Sequence, residues 1–273
     1  TSAAPLVEER PVASRKRGPK TPHSDEQVLV AIREAIAESP FHGEGHRKVR
    51  RYLRNGRWKM KIGRQRVQRL MRENSLLAPV RRLHVHGSKA HDGQVVTDCP
   101  NDLWGADGTT FWTEGQGLCW FFGTVDHFNS ECVGWHVAKR GTRWAAIESL
   151  RNGVRGIYGA YGSEAARGLA LRHDWGSQYT SDDFGKELKF LGIADSPAYV
   201  AEPQTNGVAE RFIKTLKEEC IYMHRFKNVE EARSVIGQFI EKYNRLWMIE
   251  RLDYRSPAQA RADYLAANTG KAA

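Results

Sequence analysis

The sequence predicts an α/β protein in which a mixed five-stranded sheet with flanking helices follows a small all-α domain. From about residue 98 the hydrophobic pattern alternates between strands and helices in the order β-β-β-α-β-α-β-α, which is typical of a sheet covered by helices. Before that point only helical periods occur. The chain has 273 residues, of which 40% are hydrophobic. This is enough for a substantial core and excludes a disordered chain.

The first segment, residues 1–20, is predicted to be a flexible basic arm. It contains three prolines and several Lys and Arg residues, and no apolar period is visible in it. Contact with a nucleic-acid backbone and a simple linker role are equally compatible with this composition. The chain does not begin with Met, so we expect either a trimmed protein or the downstream part of a longer product.

Three helices are predicted in the next domain, residues 21–77. Ser24 and Gln27 form a capping-box pattern ahead of the first helix, and the other two cover about 45–55 and about 63–74. Three short helices with basic outer faces are typical of a helix-turn-helix module, whose last helix lies in the major groove of DNA. A basic bundle that only braces the next domain is the alternative. The residues predicted to contact DNA are Arg47, Lys48, Arg64, Arg66, Arg69 and Arg72.

Positive charge is concentrated in the N-terminal third of the chain. Residues 10–90 hold 21 Lys and Arg against 6 Asp and Glu, a net charge of +15, whereas residues 91–273 hold 21 against 24, a net charge of −3. This asymmetry indicates a nucleic-acid partner, although a solvated basic surface would have the same composition. Residues 78–97 show no consistent period and are predicted to be a linker.

The second domain is predicted to span residues 98–263, with a tail over residues 264–273. Its first three strand patterns are separated by turn-forming residues, which suits an antiparallel meander. No run of eighteen apolar residues occurs anywhere, so no membrane span is expected. The predicted strands are 104–112, 118–125, 132–137, 168–174 and 193–196, and the helices are 142–153, 182–191, 207–222 and 230–243.

Three acids stand where a charge is unexpected. Asp107 interrupts an apolar run, Asp174 ends another, and Glu210 lies near the start of a helical pattern. Burying a carboxylate costs on the order of several kcal/mol unless it is paired or bound to metal. Mg²⁺ prefers oxygen ligands, and two such ions about 3.5–4 Å apart serve phosphoryl displacement. We therefore predict that these three acids bind two magnesium ions and form the catalytic centre.

Other polar residues lie close to these acids in the sequence. Lys217 follows Glu210 by two helical turns and is predicted to meet a DNA phosphate, although the spacing also suits an ordinary exposed lysine. Asp126 is interpreted as a turn residue rather than a fourth ligand. His173 is interpreted as a packing or hydrogen-bonding residue beside Asp174.

Three stretches of the sequence carry a family likeness: Trp104–Thr109, His173–Tyr179 and Asn206–Phe212. Thirty-five residues separate the second acid from the third, and a lysine follows seven residues later. In this combination the stretches resemble the DDE transposases of bacterial insertion sequences. The spacing is similar to that of the downstream-frame protein of the insertion-sequence-three family, which has an integrase catalytic core.

The likeness extends over roughly residues 40–260. The basic residues 45–73 are similar to the helix-turn-helix that precedes the catalytic domain in this family. Tyr243-Asn244-Arg245 and the later Ser256-Pro257 resemble its C-terminal signature.

The resemblance implies an RNase H-like fold related to retroviral integrases, with Asp107, Asp174 and Glu210 as metal ligands and Lys217 near the DNA. It implies Mg²⁺-dependent strand cleavage at the ends of a mobile element, followed by strand transfer, and we expect Mn²⁺ to substitute. The expected partners are the terminal inverted repeats, target DNA, further copies of this chain and an upstream-frame DNA-binding protein, fused or separate. The expected location is the bacterial cytoplasm, in association with the nucleoid.

The sequence departs from the family pattern beside the second acid. Many relatives have His where this chain has Arg172, and Arg where it has Trp175. Two alternatives to a transposase are a catalytically inactive DNA-binding regulator or remnant with the same fold, and a nuclease that uses water without strand transfer.

Overall fold

The computed structural model describes residues 22–79, 97–196 and 206–269. The described residues divide into two units, one comprising residues 22–39 and 43–79 and the other comprising the rest. The predicted arm, most of the predicted linker and the segment before Asn206 lie outside the described residues. No described helix combines the length and apolar character that crossing a membrane requires.

The N-terminal unit is a three-helix domain, consisting of α1 (Asp25–Glu38), α2 (His46–Asn55) and α3 (Arg64–Glu73). The predicted capping box is present, since Ser24 and Gln27 exchange side-chain-to-backbone hydrogen bonds at the start of α1. The helices bury one apolar face each and leave most of their basic residues on the outside. The core of this unit contains Val28, Ala31, Ile32, Ala35, Val49, Leu53, Ile62, Val67, Leu70 and Met71.

The second unit is built on a five-stranded sheet in the order β3-β2-β1-β4-β5. The first three strands form an antiparallel meander, and β4 and β5 run parallel to β1. This is the mixed sheet that the sequence predicts. The strands are β1 (Leu103–Thr113), β2 (Gly117–Asp126), β3 (Cys132–Ala138), β4 (Ala170–His173) and β5 (Ala194–Asp195).

Helices cover both faces of the sheet because successive side chains of β1 point to opposite sides. Trp104 and Ala106 belong to a core that includes α4 (Arg143–Tyr158) and α5 (Asp182–Leu191). Phe111, on the other face, belongs to a core that includes α6 (Gly207–Glu219) and α7 (Val229–Leu246). Three cysteines, Cys119, Cys132 and Cys220, are buried in this second core as free thiols.

The C-terminal end differs from the sequence prediction. A helix, α8 (Pro257–Thr269), occupies residues 264–269, which were predicted to belong to a tail. Ser256 caps its start, with its hydroxyl accepting from the Gln259 N–H, and proline suits the first helical position. The helix is fixed to the sheet by Arg261, which donates to the buried carboxylate of Asp126 at 2.9 Å.

Candidate active site

Pairing of β1 with β4 brings two of the predicted acids together. The strands are parallel, and the last paired residues are Ala106 and His173. Asp107 follows Ala106 in β1, and Asp174 follows His173 at the end of the neighbouring strand. Asp107 lies within β1 and is partly buried, whereas Asp174 follows the end of β4 and is exposed. The Asp174 carboxylate accepts a hydrogen bond from the Gly176 N–H at 3.0 Å, which turns the chain away from the sheet.

Glu210 is brought to the same region by the first turn of α6. The start of this helix is fixed to β1 by Asn206, whose buried amide donates to the Ala106 carbonyl at 2.9 Å. The close approach requires glycine at position 105, because a Cβ there would lie 2.6 Å from the Asn206 Oδ1. No local sequence pattern indicates the contact of Asn206 with β1, which joins residues one hundred positions apart.

The three carboxylates interact electrostatically. The pKa of Asp107 is raised to about 7, mainly by burial and further by the negative charges of Asp174 and Glu210. A hydrogen bond from the Gly108 N–H and the charge of Lys217 act in the opposite direction. Burial and the charge of Asp174 also raise the pKa of Glu210. The site is therefore one where a cation would be favourable.

The chemistry of this donor set fits a hard cation such as Mg²⁺, because it offers carboxylate oxygens and, within residues 97–196 and 206–269, none of the three acids forms an ion pair. The acids are not gathered into a finished coordination sphere. In the described ranges, no three His, Cys, Asp or Glu side chains are close enough together to hold an ion. The magnesium ligands and the number of ions therefore remain predictions.

Lys217 lies on α6, two turns beyond Glu210, and is half-buried. Its charge favours the ionised form of Asp107 and so acts against the rise in the pKa of that carboxyl. Its contact with a DNA phosphate stays a prediction.

Two neighbouring residues have the roles that the sequence suggested. His173 is buried, and its ring contacts the Asp195 carboxylate at 3.0 Å while stacking on Tyr179. Asp126 ends β2 and shapes the following turn, since it accepts from the Phe128 N–H at 2.9 Å. Its ion pair with the C-terminal helix further supports a structural role.

Tyr179 is a polar residue of this region that sequence reasoning missed. It is buried, and its pKa is raised well above the ordinary value by burial and by the charges of Asp107 and Asp174. Its hydroxyl makes no hydrogen bond within the described part of the chain. Only its position five residues after Asp174 could have drawn attention to it.

The N-terminal unit places the predicted DNA-contacting residues of α3 in two groups. Arg66 and Arg69 both bind Asp25 at the start of α1, at 2.6 Å each, and Arg66 also donates to the His23 carbonyl. Arg69 additionally pairs with Glu73. Their guanidinium groups hold α3 against α1, and their contact with DNA stays a prediction.

Of the remaining basic residues, three are exposed and one is half-buried. Arg64 and Arg72 are exposed, and with Gln68 they follow one side of α3 at intervals of four residues. Arg72 makes no ion pair with any described carboxylate. Arg47 is exposed on α2, and Lys48 is half-buried at 3.5 Å from Glu44. Among the described residues, Arg64 and Arg72 are therefore the exposed arginines of α3 that form no ion pair with a carboxylate, and their contact with DNA stays a prediction.

Family profiles match both units of the chain. A profile described as an HTH-like domain matches residues 23–84. Two profiles described as an integrase core domain match residues 97–203 and 191–257. Together the integrase-core matches contain the three acids and Lys217.

Individual proteins resemble the chain over most of its length. Transposase InsD of insertion element IS2A/D/F/H/I/K from Escherichia coli is 27% identical over 248 residues, covering 89% of this chain and 81% of the relative. InsD of IS2 on the F plasmid of Escherichia coli strain K12 matches to the same extent. Among solved structures, a chain of the simian T-cell lymphotropic virus intasome with the PP2A regulatory subunit B56 gamma superposes with a TM-score of 0.50 and 17% identity, covering 80% of this chain and 74% of that one. This likeness confirms the RNase H-like integrase fold.

Proposed function

The chain belongs to the DDE transposases of the insertion-sequence-three family, and we propose that Asp107, Asp174 and Glu210 are the carboxylates of its catalytic centre. As a member of this family it is a polynucleotidyl transferase that cleaves and transfers DNA strands in transposition. The observation that supports the assignment is the parallel pairing of β1 and β4, because Asp107 and Asp174 are the residues that follow the paired Ala106 and His173. The raised pKa of Asp107, which burial and the charges of Asp174 and Glu210 cause, agrees with the assignment.

The three carboxylates would hold two Mg²⁺ ions, with Mn²⁺ as a substitute. When bound, the ions activate the attacking oxygen and stabilise the leaving oxygen in an in-line displacement. Asp107 lies on the rigid sheet, so it fixes the position of the centre, while Glu210 is supplied by the helix that Asn206 fastens to β1. Lys217 orients a phosphate of the strand beside the acids.

The same chemistry accounts for cleavage and for strand transfer. Water is the attacking group in cleavage, which leaves a 3′ hydroxyl on the element, and this hydroxyl is the attacking group in transfer. In both steps a phosphodiester bond to a 3′ oxygen breaks as the new phosphorus–oxygen bond forms. The proposed substrates are accordingly the terminal inverted repeats and a target DNA.

The N-terminal unit would bind the element ends through α3. This proposal rests on its helix-turn-helix architecture, the net charge of +15 over residues 10–90, and the exposed Arg64 and Arg72. We further propose that several copies assemble on DNA, that an upstream-frame protein cooperates or is fused, and that the protein acts at the bacterial nucleoid in the cytoplasm.

The test is incubation of the purified chain with element-end DNA and Mg²⁺, with hydrolysed and strand-transfer products separated on a gel. Asp107→Asn, Asp174→Asn and Glu210→Gln should each reduce both products by several orders of magnitude while DNA affinity changes little. Full activity in any of the three variants would remove that residue from the centre.

Matched controls separate a loss of chemistry from a loss of charge. Glu241→Gln, at an exposed position on α7, is the matched control for Glu210→Gln. Asp182→Asn, at an exposed position on α5, is the matched control for Asp107→Asn and Asp174→Asn. Both should leave the products unchanged. Hydrolysed products without strand transfer would favour a nuclease, and binding without either product would favour an inactive regulator.

A further inference from the structure

A second potential binding site lies in the same unit, at the junction of β3 and α4. It is a shallow cavity of about 570 Å³, largely open to solvent, whose lining includes His136, Lys139, Arg140, Trp144 and Glu148. Its volume falls in the range of small-ligand pockets. None of these residues belongs to the acidic centre or to the helix-turn-helix domain, so the functions assigned above do not account for them.

The exposed side chains of this cavity suit a nucleotide. Trp144 is 54% exposed, and its ring is one on which a base can stack. Lys139 and Arg140 are exposed, and neither pairs with a carboxylate in the described ranges, so both are available to a phosphate. The acidic wall residue, Glu148, is already bound to Arg155 at 3.0 Å, which limits its repulsion of a phosphate.

His136 supplies a polar group at the base of the cavity. Its pKa is lowered, mainly by burial, with Arg233 acting in the same direction and Glu148 opposing it. Burial therefore favours the neutral imidazole, which can both donate and accept a hydrogen bond. Such a group suits the polar edge of a base.

The segment that carries the basic residues is held in place by several contacts. Gly141 packs so closely on Trp120 that a Cβ at this position would lie 2.3 Å from the indole. The Thr142 hydroxyl accepts from the Ala145 N–H at the start of α4. Arg143 binds Asp183 at 2.5 Å and lies over the Trp144 ring, 5.3 Å from its centroid. The walls of the cavity are therefore preformed.

A hydrogen bond of Gln178 links the cavity to the loop that follows Asp174. Gln178, which lies in the loop after Asp174, donates from its amide to the Gly141 carbonyl at 3.1 Å. The same loop begins with the hydrogen bond from the Gly176 N–H to the Asp174 carboxylate. A DNA strand bound along the loop after Asp174 would therefore also contact the Lys139–Trp144 segment.

We propose that this cavity binds one unpaired nucleotide of the DNA strand that passes the catalytic carboxylates, with the base stacked on Trp144 and a phosphate bound by Lys139 and Arg140. The proposal rests on the proposed function, because it takes the strand at Asp174 to be the substrate. It adds a recognition site for a frayed or single-stranded end beside the centre.

The test compares two fluorescein-labelled probes by fluorescence anisotropy, without divalent metal. One probe is a blunt duplex, and the other is the same duplex with a short single-stranded 3′ extension. The parent chain should bind the extended probe more tightly. Trp144→Ala should weaken binding of the extended probe about tenfold and leave the blunt probe unchanged, whereas Trp144→Phe should retain most of the difference. Trp112→Ala removes another exposed indole, 68% exposed in β1, and should change neither affinity.

Arg140→Ala provides a second measurement that does not depend on the aromatic ring. For the extended probe, it should reduce the magnitude of the slope of log affinity against log salt concentration by about 0.7, which corresponds to one lost phosphate contact on single-stranded DNA. An equal loss on both probes in Trp144→Ala, or no preference of the parent chain for the extension, would overturn the proposal.

The two proposals fail in different assays. Failure of the proposed function appears as the absence of Mg²⁺-dependent strand transfer by the parent chain. Failure of the nucleotide site appears in metal-free binding, where cleavage does not occur. Circular dichroism melting of each variant checks that the fold is intact.

Discussion

The side chain of Asp107 is held in surroundings that oppose its charge. Burial and the two other acids raise its pKa to about 7, and the Gly108 N–H and Lys217 compensate only in part. The sequence indicated all three acids because each is conspicuous among its own neighbours. It could not reveal Asn206 at the Ala106 carbonyl, because that contact depends on folding residues one hundred positions apart.

Asp107→Asn should therefore stabilise the metal-free protein. A carboxyl group with a folded-state pKa above its ordinary 3.8 contributes stability at low pH, and that contribution is lost as the pH rises to about 7. The increase in melting temperature should thus be larger at about pH 8 than at about pH 5. Mg²⁺ should raise the melting temperature of the parent chain and not of the variant. An equal rise in melting temperature with Mg²⁺ in the parent chain and in Asp107→Asn would contradict the assignment of Asp107 as a metal ligand. Asp182→Asn serves as the control.

Asn206→Ala should impair the use of metal without impairing DNA binding. Loss of its bond to Ala106 frees the start of α6, so Glu210 is held less firmly. Residues that support metal ligands typically change metal affinity by about 10–100-fold, so the Mg²⁺ concentration for half-maximal cleavage should rise about tenfold, with the KM for DNA unchanged. Asn228→Ala, which removes the N-cap of α7, should not change that concentration. If Asn228→Ala raised this Mg²⁺ concentration as much as Asn206→Ala does, a general loss of helix stability would explain the result.

Arg66 and Arg72 should behave differently although they lie on the same helix. Arg72→Ala should weaken DNA binding and reduce the magnitude of the log–log salt slope by about 1. Arg66→Ala should instead lower the melting temperature of the N-terminal unit, because Asp25 loses one of its two partners. A loss of salt dependence in Arg66→Ala without destabilisation would restore its predicted role at the DNA.

The bounds of α5 could be predicted from local sequence signals, whereas the position of α8 could not. Ser181 caps α5 and Gly192 ends it in the left-handed conformation, so local residues define both ends, and the predicted bounds agree with the structure. α8 is rich in alanine and has little apolar periodicity. Its place depends on Arg261 meeting Asp126, 135 residues away, which no local pattern reveals.

Arg261→Ala should destabilise the second unit strongly. Asp126 is fully buried, and removing one partner of a buried ion pair typically costs about 3–5 kcal/mol. Arg255→Ala breaks a pair with Asp263 whose two side chains are 42% and 49% exposed, and such pairs contribute about 0–1 kcal/mol. Urea denaturation of both variants measures the difference. Equal losses would show that the burial of Asp126 is not what makes α8 important.

Net charge is distributed unevenly between the two units of the molecule. The N-terminal third is strongly positive, whereas the sheet-containing part has a net charge close to zero. Composition alone could predict this division, because charge is additive along a sequence. Composition could not show that part of the positive charge is used within the fold, as it is by Arg66 and Arg69. Counting arginines therefore overestimates the number of phosphate contacts.

The three buried thiols offer a way to observe motion of the sheet face that carries α6. Cys119, Cys132 and Cys220 lie in a single core with the inner side of that helix, so a thiol reagent reaches them only when this layer opens. Their rates of alkylation would measure the free energy of local opening under native conditions. A rate that falls when Mg²⁺ is added would show that ion binding rigidifies the helix that supplies Glu210, even in the absence of DNA.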